Sequence, residues 1–432
     1  MPGRSMTSEI ETQIVGTRLR PLYATGFIQS LVLWYSIEKL FMRSIGLNDY
    51  LITIATLVYI GIMVAANIPL GVLADRWSRK GVLHLATCAL IASSLVCGLS
   101  HGLVTYAGGM SAWGLFYAAY AGTYDSVVYD VVLEETGSAG RFEHFYGRVQ
   151  MFESAGFVTS ALLSALVARY VSLRLAFLLT IPLTCCAFVT LHRFREPGLH
   201  RRASRAHLLA HVGQILRRAT RAEVAWIVVA LVATCVVMRL MIEFYQLWYL
   251  GLALPAMWYG PGCALMYAGA WSGGALADKL RNGRTLLVAG FGTLAIAGGL
   301  FVRAPVMVIG AQVATIIGIT VLNIGLTRHL HDAMPSGIRA GASSVVSTIG
   351  YGAFAPVALG FGLFSRAHGI FSASVFVIVP LGAICVSVVC ARARIRRPER
   401  PAAASGAGQE PASAGPRTPP RPVPAPARSV ST

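Results

Sequence analysis

Charge is what this sequence has least of: Asp, Glu, Lys and Arg make up 12% of its 432 residues, about half the share of an ordinary soluble domain. Lysine is almost missing, with Lys39, Lys80 and Lys279 the whole set. So sparse a supply cannot cover a water-facing surface. The Gly-Lys-Ser/Thr phosphate loop is missing too, as are histidines at metal-ligand spacing and a nucleophile elbow. These gaps argue against an enzyme, a bound cofactor and a resident metal. The eight cysteines lack zinc-site spacing and fall inside apolar runs. They are expected to be small buried apolar side chains, with no disulfide implied. The first 20 residues are polar, and the first apolar run lacks the short core and small-residue site of a cleavable signal peptide.

Apolar residues fill the chain instead, at 55% with a mean hydropathy of +0.63. Leu51–Ile68, Val224–Met238, Leu286–Phe301 and Val375–Cys390 hold few or no charges. A run of about 20 apolar residues spans the bilayer core as a helix. In lipid a single segment satisfies its own backbone only as a helix, and these runs are too long and uniform for barrel strands. The expected fold is an all-α membrane protein of twelve transmembrane helices. They begin near Leu22, Tyr50, Val82, Leu103, Phe145, Leu173, Ala222, Ala256, Thr285, Val306, Ala340 and Phe371.

A basic stretch from about Arg193 to Arg221 separates the sixth span from the seventh. The chain thus divides into an N-terminal tail (1–20), a six-helix bundle (21–192), a linker (193–221), a second six-helix bundle (222–391) and a C-terminal tail (392–432). That last tail is rich in Ala, Pro, Ser and Arg without periodicity, the composition of disordered chain. In the linker, Leu208, Leu209, Val212, Ile215 and Leu216 recur at helical spacing, so it is either an interfacial helix or a disordered basic segment. The net charge of +18 invites a nucleic-acid reading. Against it, the basic residues sit in short loops, where they act as topology determinants. With both termini inside, the outer loops hold only Arg43, Arg169, Arg174, Arg303 and Arg366, and the inner side holds the remainder outside the spans. The positive-inside rule therefore puts both termini in the cytoplasm. Richness in arginine and alanine points to a bacterial cytoplasmic (inner) membrane.

One loop carries a specific pattern. Gly71-Val-Leu-Ala-Asp75-Arg76-Trp-Ser-Arg79-Lys80 lies between the second and third spans. Gly71 is expected to allow close helix packing, Asp75 to sit at the membrane edge, and Arg76, Arg79 and Lys80 to form an inner cationic cluster. A weaker copy, Gly274-Ala-Leu-Ala-Asp278-Lys279-Leu-Arg281, follows the eighth span at the same offset for its glycine and its aspartate. Such an offset is that of two parallel repeats. The loop resembles the signature of the major facilitator superfamily, with Ser78 where that family usually has glycine. The resemblance covers roughly residues 20–391. It implies two pseudo-symmetric six-helix bundles that rock around a central site, a working monomer, and a conformational latch. In that latch the loop aspartate and arginine join a carboxylate on the fourth span, for which Asp130 is the matching candidate and Asp125 the second. Drug–proton antiporters of the family usually carry a Gly-Pro motif on the fifth span. Here Met151–Ser160 has no proline, which leaves the direction of transport open.

Charged groups inside spans cost a few kcal/mol and are functional candidates by default. On span seven, Arg239, Glu243 and Gln246 lie within roughly 60° of one another. They read either as a substrate anchor or proton-linked pair near the outer mouth, or as a self-neutralised pair at the outer interface beside Trp248 and Tyr249. On span five, Glu153, Ser160 and Ser164 form a stripe expected to face a cavity, unless Glu153 partners a loop arginine such as Arg148. On span one, Thr25, Gln29 and Ser36 share a wedge, with Gln29 either the best polar contact or a helix–helix hydrogen bond, while Glu38 and Lys39 are expected to flank the interface. Tyr117, Tyr120 and Tyr124 of span four are expected to pack between helices or, for a planar or amphipathic substrate, to make an aromatic wall. Ser344, Ser347, Thr348 and Tyr351 make a polar stripe on span eleven, read either as pathway lining or as ordinary helix packing by small hydroxyls. Asp125 and Asp130, about 140° apart, cannot face one site.

Without an ATP site, the energy must come from a gradient. The leading expectation is a proton-coupled exporter of a small drug-like or secondary-metabolite solute. The pathway would run through Gln29, Tyr124, Asp125, Glu153, Arg239, Glu243 and Tyr351, with protons and the lipid bilayer as partners. Proton-coupled uptake of a metabolite, with Arg239 anchoring an anion, is the alternative. A non-transporting receptor or scaffold using the basic segments is a third reading.

Overall fold

The computed structural model describes residues 3–138, 141–198, 222–277, 283–334 and 339–395, and every regular element among them is helical. The long helices are α1 (Gly3–Gln29), α2 (Asp49–Arg76), α3 (Arg79–Gly98), α4 (Leu103–Thr136), α5 (Phe142–Tyr170) and α6 (Leu173–His192). They are followed by α7 (Ala222–Gly251), α8 (Tyr259–Ala277), α9 (Gly283–Ala297), α10 (Pro305–Asp332), α11 (Arg339–His368) and α12 (Val375–Ile395). The Asp278 loop, residues 199–221 of the basic linker and the tail from residue 396 lie outside the described residues.

By length and apolar composition, 8 helices among the described residues qualify to cross a membrane, with Leu286–Phe301 a shorter apolar one, so this criterion does not reach the expected twelve. Helices α1, α4 and α8 fall outside it. Their sequences hold the reason: α4 carries Asp125, Asp130 and several tyrosines, and α8 is rich in glycine. The qualifying helices expose large apolar side chains such as Leu95, Val189 and Val379, an oily exterior suited to acyl chains.

Packing runs α3 and α2 against α4, α3 against α6, and α1 against α5 and α6. On the other side of the sequence, α10 packs against α7, α8 and α9, and α11 against α7. Between these two sets, α5 meets α8 and α2 meets α11. Small residues set the closest approaches. A Cβ at Gly156 would lie 2.3 Å from the Phe27 carbonyl oxygen, and one at Gly260 only 2.0 Å from that of Ala161. Gly71 and Gly274, expected to permit close packing, have nothing within 4 Å of such a Cβ. Their helix ends are free of that constraint, so the packing argument belongs to other glycines.

The first span is not the continuous helix expected. α1 stops at Gln29, the chain unwinds, and a 3-10 turn (Tyr35–Ile37) leads into a short helix, Glu38–Ser44. Freed backbone groups inside a membrane protein need partners. Thr180 accepts from the Leu33 amide at 3.1 Å. Gln246 of α7 donates to the Tyr35 carbonyl at 3.0 Å and accepts from the Lys39 amide at 2.9 Å. Glu38 and Lys39, expected at the interface, are 3% and 0% exposed. They pair at 2.9 Å, with Thr56 accepting from Lys39 and Tyr106 donating to Glu38. Trp248 and Tyr249 are fully buried as well, so the expected interfacial belt there is corrected. Among the cysteines, Cys88, Cys185 and Cys186 are exposed on the apolar exterior rather than buried, and all eight are free thiols.

Among the described residues, the bonds joining the two sets of helices lie in the half away from the termini. Besides the Gln246 pair, the Tyr245 hydroxyl donates to the Ser36 carbonyl at 3.3 Å, Ser365 to Asp49, and Tyr59 to Glu243. Toward the termini, Val64, Ile68 and Leu73 of α2 and Met151 and Phe152 of α5 are exposed. The far end is therefore the closed end. Gln246→Leu removes two hydrogen bonds that exist only while that end is closed. A loss of about 1 kcal/mol each is expected to shift the closed–open ratio roughly tenfold or more. Labelling of a cysteine placed at Ser36, now 2% exposed, by a maleimide added from the closed side should accelerate accordingly; an unchanged rate would count against the clasp.

Candidate functional site

A cavity of about 220 Å³ sits between α1, α4 and α5. Its walls are aromatic, with Trp113, Phe116, Tyr117, Tyr120 and Phe157. Helix α4 supplies Trp113, Phe116, Tyr117 and Tyr120 at helical spacing, so one face of a single helix forms most of the wall. Its polar lining is Gln29, Ser30, Asp125, Tyr146, Gln150 and Glu153. The Tyr120 hydroxyl donates to Glu153, and Tyr146 bonds to Asp125. The expected arginine partner for Glu153 is not there; Arg148 sits against Tyr23 instead.

Several other expected contacts resolve as helix–helix bonds. Gln29 lines the cavity, yet its amide nitrogen donates to Thr87 at 2.9 Å. Thr25 bonds Thr190 at 2.9 Å, and Ser36 bonds Ser164. Ser160 and Ser164 are 2% and 0% exposed and face the broken first span, not the cavity. Of the two readings for the tyrosine row, Tyr124 takes packing: it is 2% exposed, and its hydroxyl donates to the Leu22 carbonyl. There it ties α4 to α1.

A second cavity, about 210 Å³, is lined by Arg239, Cys235 and Met238 of α7, Asn323 and Thr327 of α10 and Ser347 of α11. Arg239 lies in mid-helix, not at the outer mouth, with its Nη1 3.3 Å from Glu243. It also donates to the Tyr351 hydroxyl and stands 4.6 Å from that ring's centroid. Glu243 accepts from Tyr59 across the two sets of helices. Tyr117 lies within electrostatic reach of Arg239, Glu243 and Glu153, between the two cavities. Ser344 of the expected stripe has no described side chain.

At the signature loop, Arg79 is 7% exposed and bonds to Asp130, to the Ser126 carbonyl at 3.1 Å and to Asp75 at 3.5 Å. The structure thus brings Asp75, Arg79 and Asp130 together, while Arg76 is exposed. Asp125, on another face of α4, lines the cavity. Ser78, the departure from the usual glycine, caps α3 by accepting from the Gly81 amide at 2.9 Å. Lys80 donates to the His192 carbonyl at 2.8 Å. The residue that sequence reading missed is Glu196, which accepts from the Ser78 hydroxyl and the Arg79 amide, both at 2.6 Å. A carboxylate suits the positive end of a helix. Its signal was a lone acidic residue in an otherwise basic stretch after α6.

The family model described as Major Facilitator Superfamily matches residues 22–357. No curated protein matches the chain in sequence. Among solved structures, the nucleoside transporter NupG is similar at a TM-score of 0.70 and 12% identity, over 88% of this chain and 99% of that one. A bacterial homolog of the human lysosomal transporter Spinster, in an inward-facing and unoccupied conformation, is similar at 0.64 and 14%, over 89% and 98%. A D-xylose–proton symporter is similar at 0.61 and 12%, over 86% and 96%.

Proposed function

The chain belongs to the major facilitator superfamily, and from that premise we propose that it is a proton-coupled secondary transporter exporting a small drug-like or secondary-metabolite solute. It works in a bacterial cytoplasmic membrane, with both termini cytoplasmic, as a monomer. Two six-helix halves, α1–α6 and α7–α12, rock about the paired cavities. The Gln246 clasp holds one end shut, while Arg79, Asp75 and Asp130 latch the signature loop to α4 at the other end in the same conformation.

One observation carries the reading: Glu153 is a carboxylate on an apolar-walled cavity with a phenol as its hydrogen-bond partner and, among the described residues, no ion pair. Such a group can give up and regain a proton as its access to water changes, which is what coupling requires. Arg239, the anchor on which metabolite uptake would depend, is already engaged by Glu243 and Tyr351, which favours export over anion uptake.

Inverted membrane vesicles holding an imposed proton gradient provide the test. Amphipathic solutes are added one at a time and the gradient is followed with a pH-sensitive dye. The wild type is expected to dissipate the gradient in a solute-dependent way, and Glu153→Gln to reduce that response to the level of vesicles without the protein. No solute-dependent response in the wild type, or an intact one in Glu153→Gln, would refute the reading. Whole-cell accumulation of the active solute gives the direction by its sign.

A further inference from the structure

The α1–α4–α5 cavity offers hydrogen-bond acceptors and negative charge without a matching cation. Asp125 and Glu153 line it, and no lysine, arginine or histidine does. Among the described residues neither carboxylate has an ion-pair partner; each meets only a phenol, Tyr146 for Asp125 and Tyr120 for Glu153. Gln29, 3% exposed, spends its amide nitrogen on Thr87. Its carbonyl oxygen has no partner among the described residues and is one more acceptor on the cavity. The buried Arg239 lines the other cavity and is neutralised by Glu243.

Desolvated carboxylates are costly unless something positive meets them. Ring faces carry negative potential and attract a cation within about 6 Å of the centroid. Trp113, Phe116, Tyr117 and Tyr120 present such rings around the acceptors. At about 220 Å³, the space is below the roughly 300–1,000 Å³ of drug-sized clefts, so its occupant is compact.

We propose that this cavity recognises a compact aromatic organic cation, whose ammonium group lies against Glu153 and Asp125 and whose apolar body lies among the α4 rings. The proposal rests on the transporter reading for its biological meaning and names the chemical class that the same site takes. It also gives Glu153 two competing ligands, proton and ammonium, so that binding one favours release of the other.

The test is equilibrium dialysis of radiolabelled benzyltrimethylammonium, whose charge does not vary with pH, against the full chain in lipid nanodiscs. Phenylacetate and neopentylbenzene serve as anionic and neutral competitors. The cation is expected to bind saturably and to be displaced by neither competitor. Glu153→Gln is expected to weaken it on the order of tenfold or more, the usual cost of losing a contact to a charged group. Glu153→Asp should retain part of the affinity, and Asp125→Asn should lose less than Glu153→Gln. Thermal melts establish that each variant is folded. Phenylacetate binding as well as the cation, an affinity unchanged in both Glu153→Gln and Asp125→Asn, or no saturable binding by folded wild type would each overturn the proposal. Cation binding without any proton-driven flux would leave this site standing and sink the exporter reading; flux of a neutral or anionic solute without cation binding would do the reverse.

Discussion

Replacing Arg239 by alanine is expected to destabilise the protein by about 3–5 kcal/mol, the usual cost of breaking a buried ion pair from one side. Glu243 is 4% exposed. Without the guanidinium it keeps only the Tyr59 hydroxyl among the bonds described. Tyr351 loses both a hydrogen-bond donor and the cation over its ring. Removing both charges is a different matter, because no carboxylate is then stranded. The double variant Arg239→Ala/Glu243→Ala is therefore expected to be more stable than the sum of the two single losses implies. A double-mutant cycle on unfolding midpoints in detergent checks this. Simple additivity would mean that the two groups do not neutralise each other, and the locked pair would have to be abandoned.

The second large effect is expected where helices touch backbone to backbone. Gly260→Ala would place a methyl group 2.0 Å from the Ala161 carbonyl oxygen and 2.8 Å from the Ala165 Cβ. Neither neighbour is the free end of a flexible side chain, so α8 must move away from α5. Overpacking of this kind costs about 1–3 kcal/mol. Because α5 and α8 join the two sets of helices, transport should fall along with the melting temperature. Gly274→Ala, with nothing within 4 Å of its Cβ, is the matched control and should melt like the wild type. Equal losses in the two variants would mean that the α5–α8 approach is not the controlling contact.

Much of this protein's character is legible in its residues alone. Scarce charge and long apolar runs point to an all-helical membrane chain. The Gly71–Lys80 pattern points to the family, and the intramembrane carboxylates single out Glu153 as a candidate. The i,i+4 spacing of Arg239 and Glu243 predicts their pairing, which the structure describes at 3.3 Å. The misses share one cause. Glu38 and Lys39 look interfacial because charge near a span's end usually snorkels to water. Here the span is broken, and the pair is buried among Thr56, Tyr106 and Gln246. Periodicity assigns Ser160 and Ser164 to the cavity, yet they face a neighbouring helix.

Sequence by itself determined which segments are helical, because a segment surrounded by lipid has no other way to satisfy its backbone. It also determined which residues share a helical face, because the angle per residue is fixed by local geometry. Only the tertiary structure decided which face meets the cavity, where the first span unwinds, and which charge finds a partner. Those depend on contacts between residues far apart in the chain, such as Gln246 with Tyr35 and Arg79 with Asp130. No pattern within one helix records its rotation relative to the next.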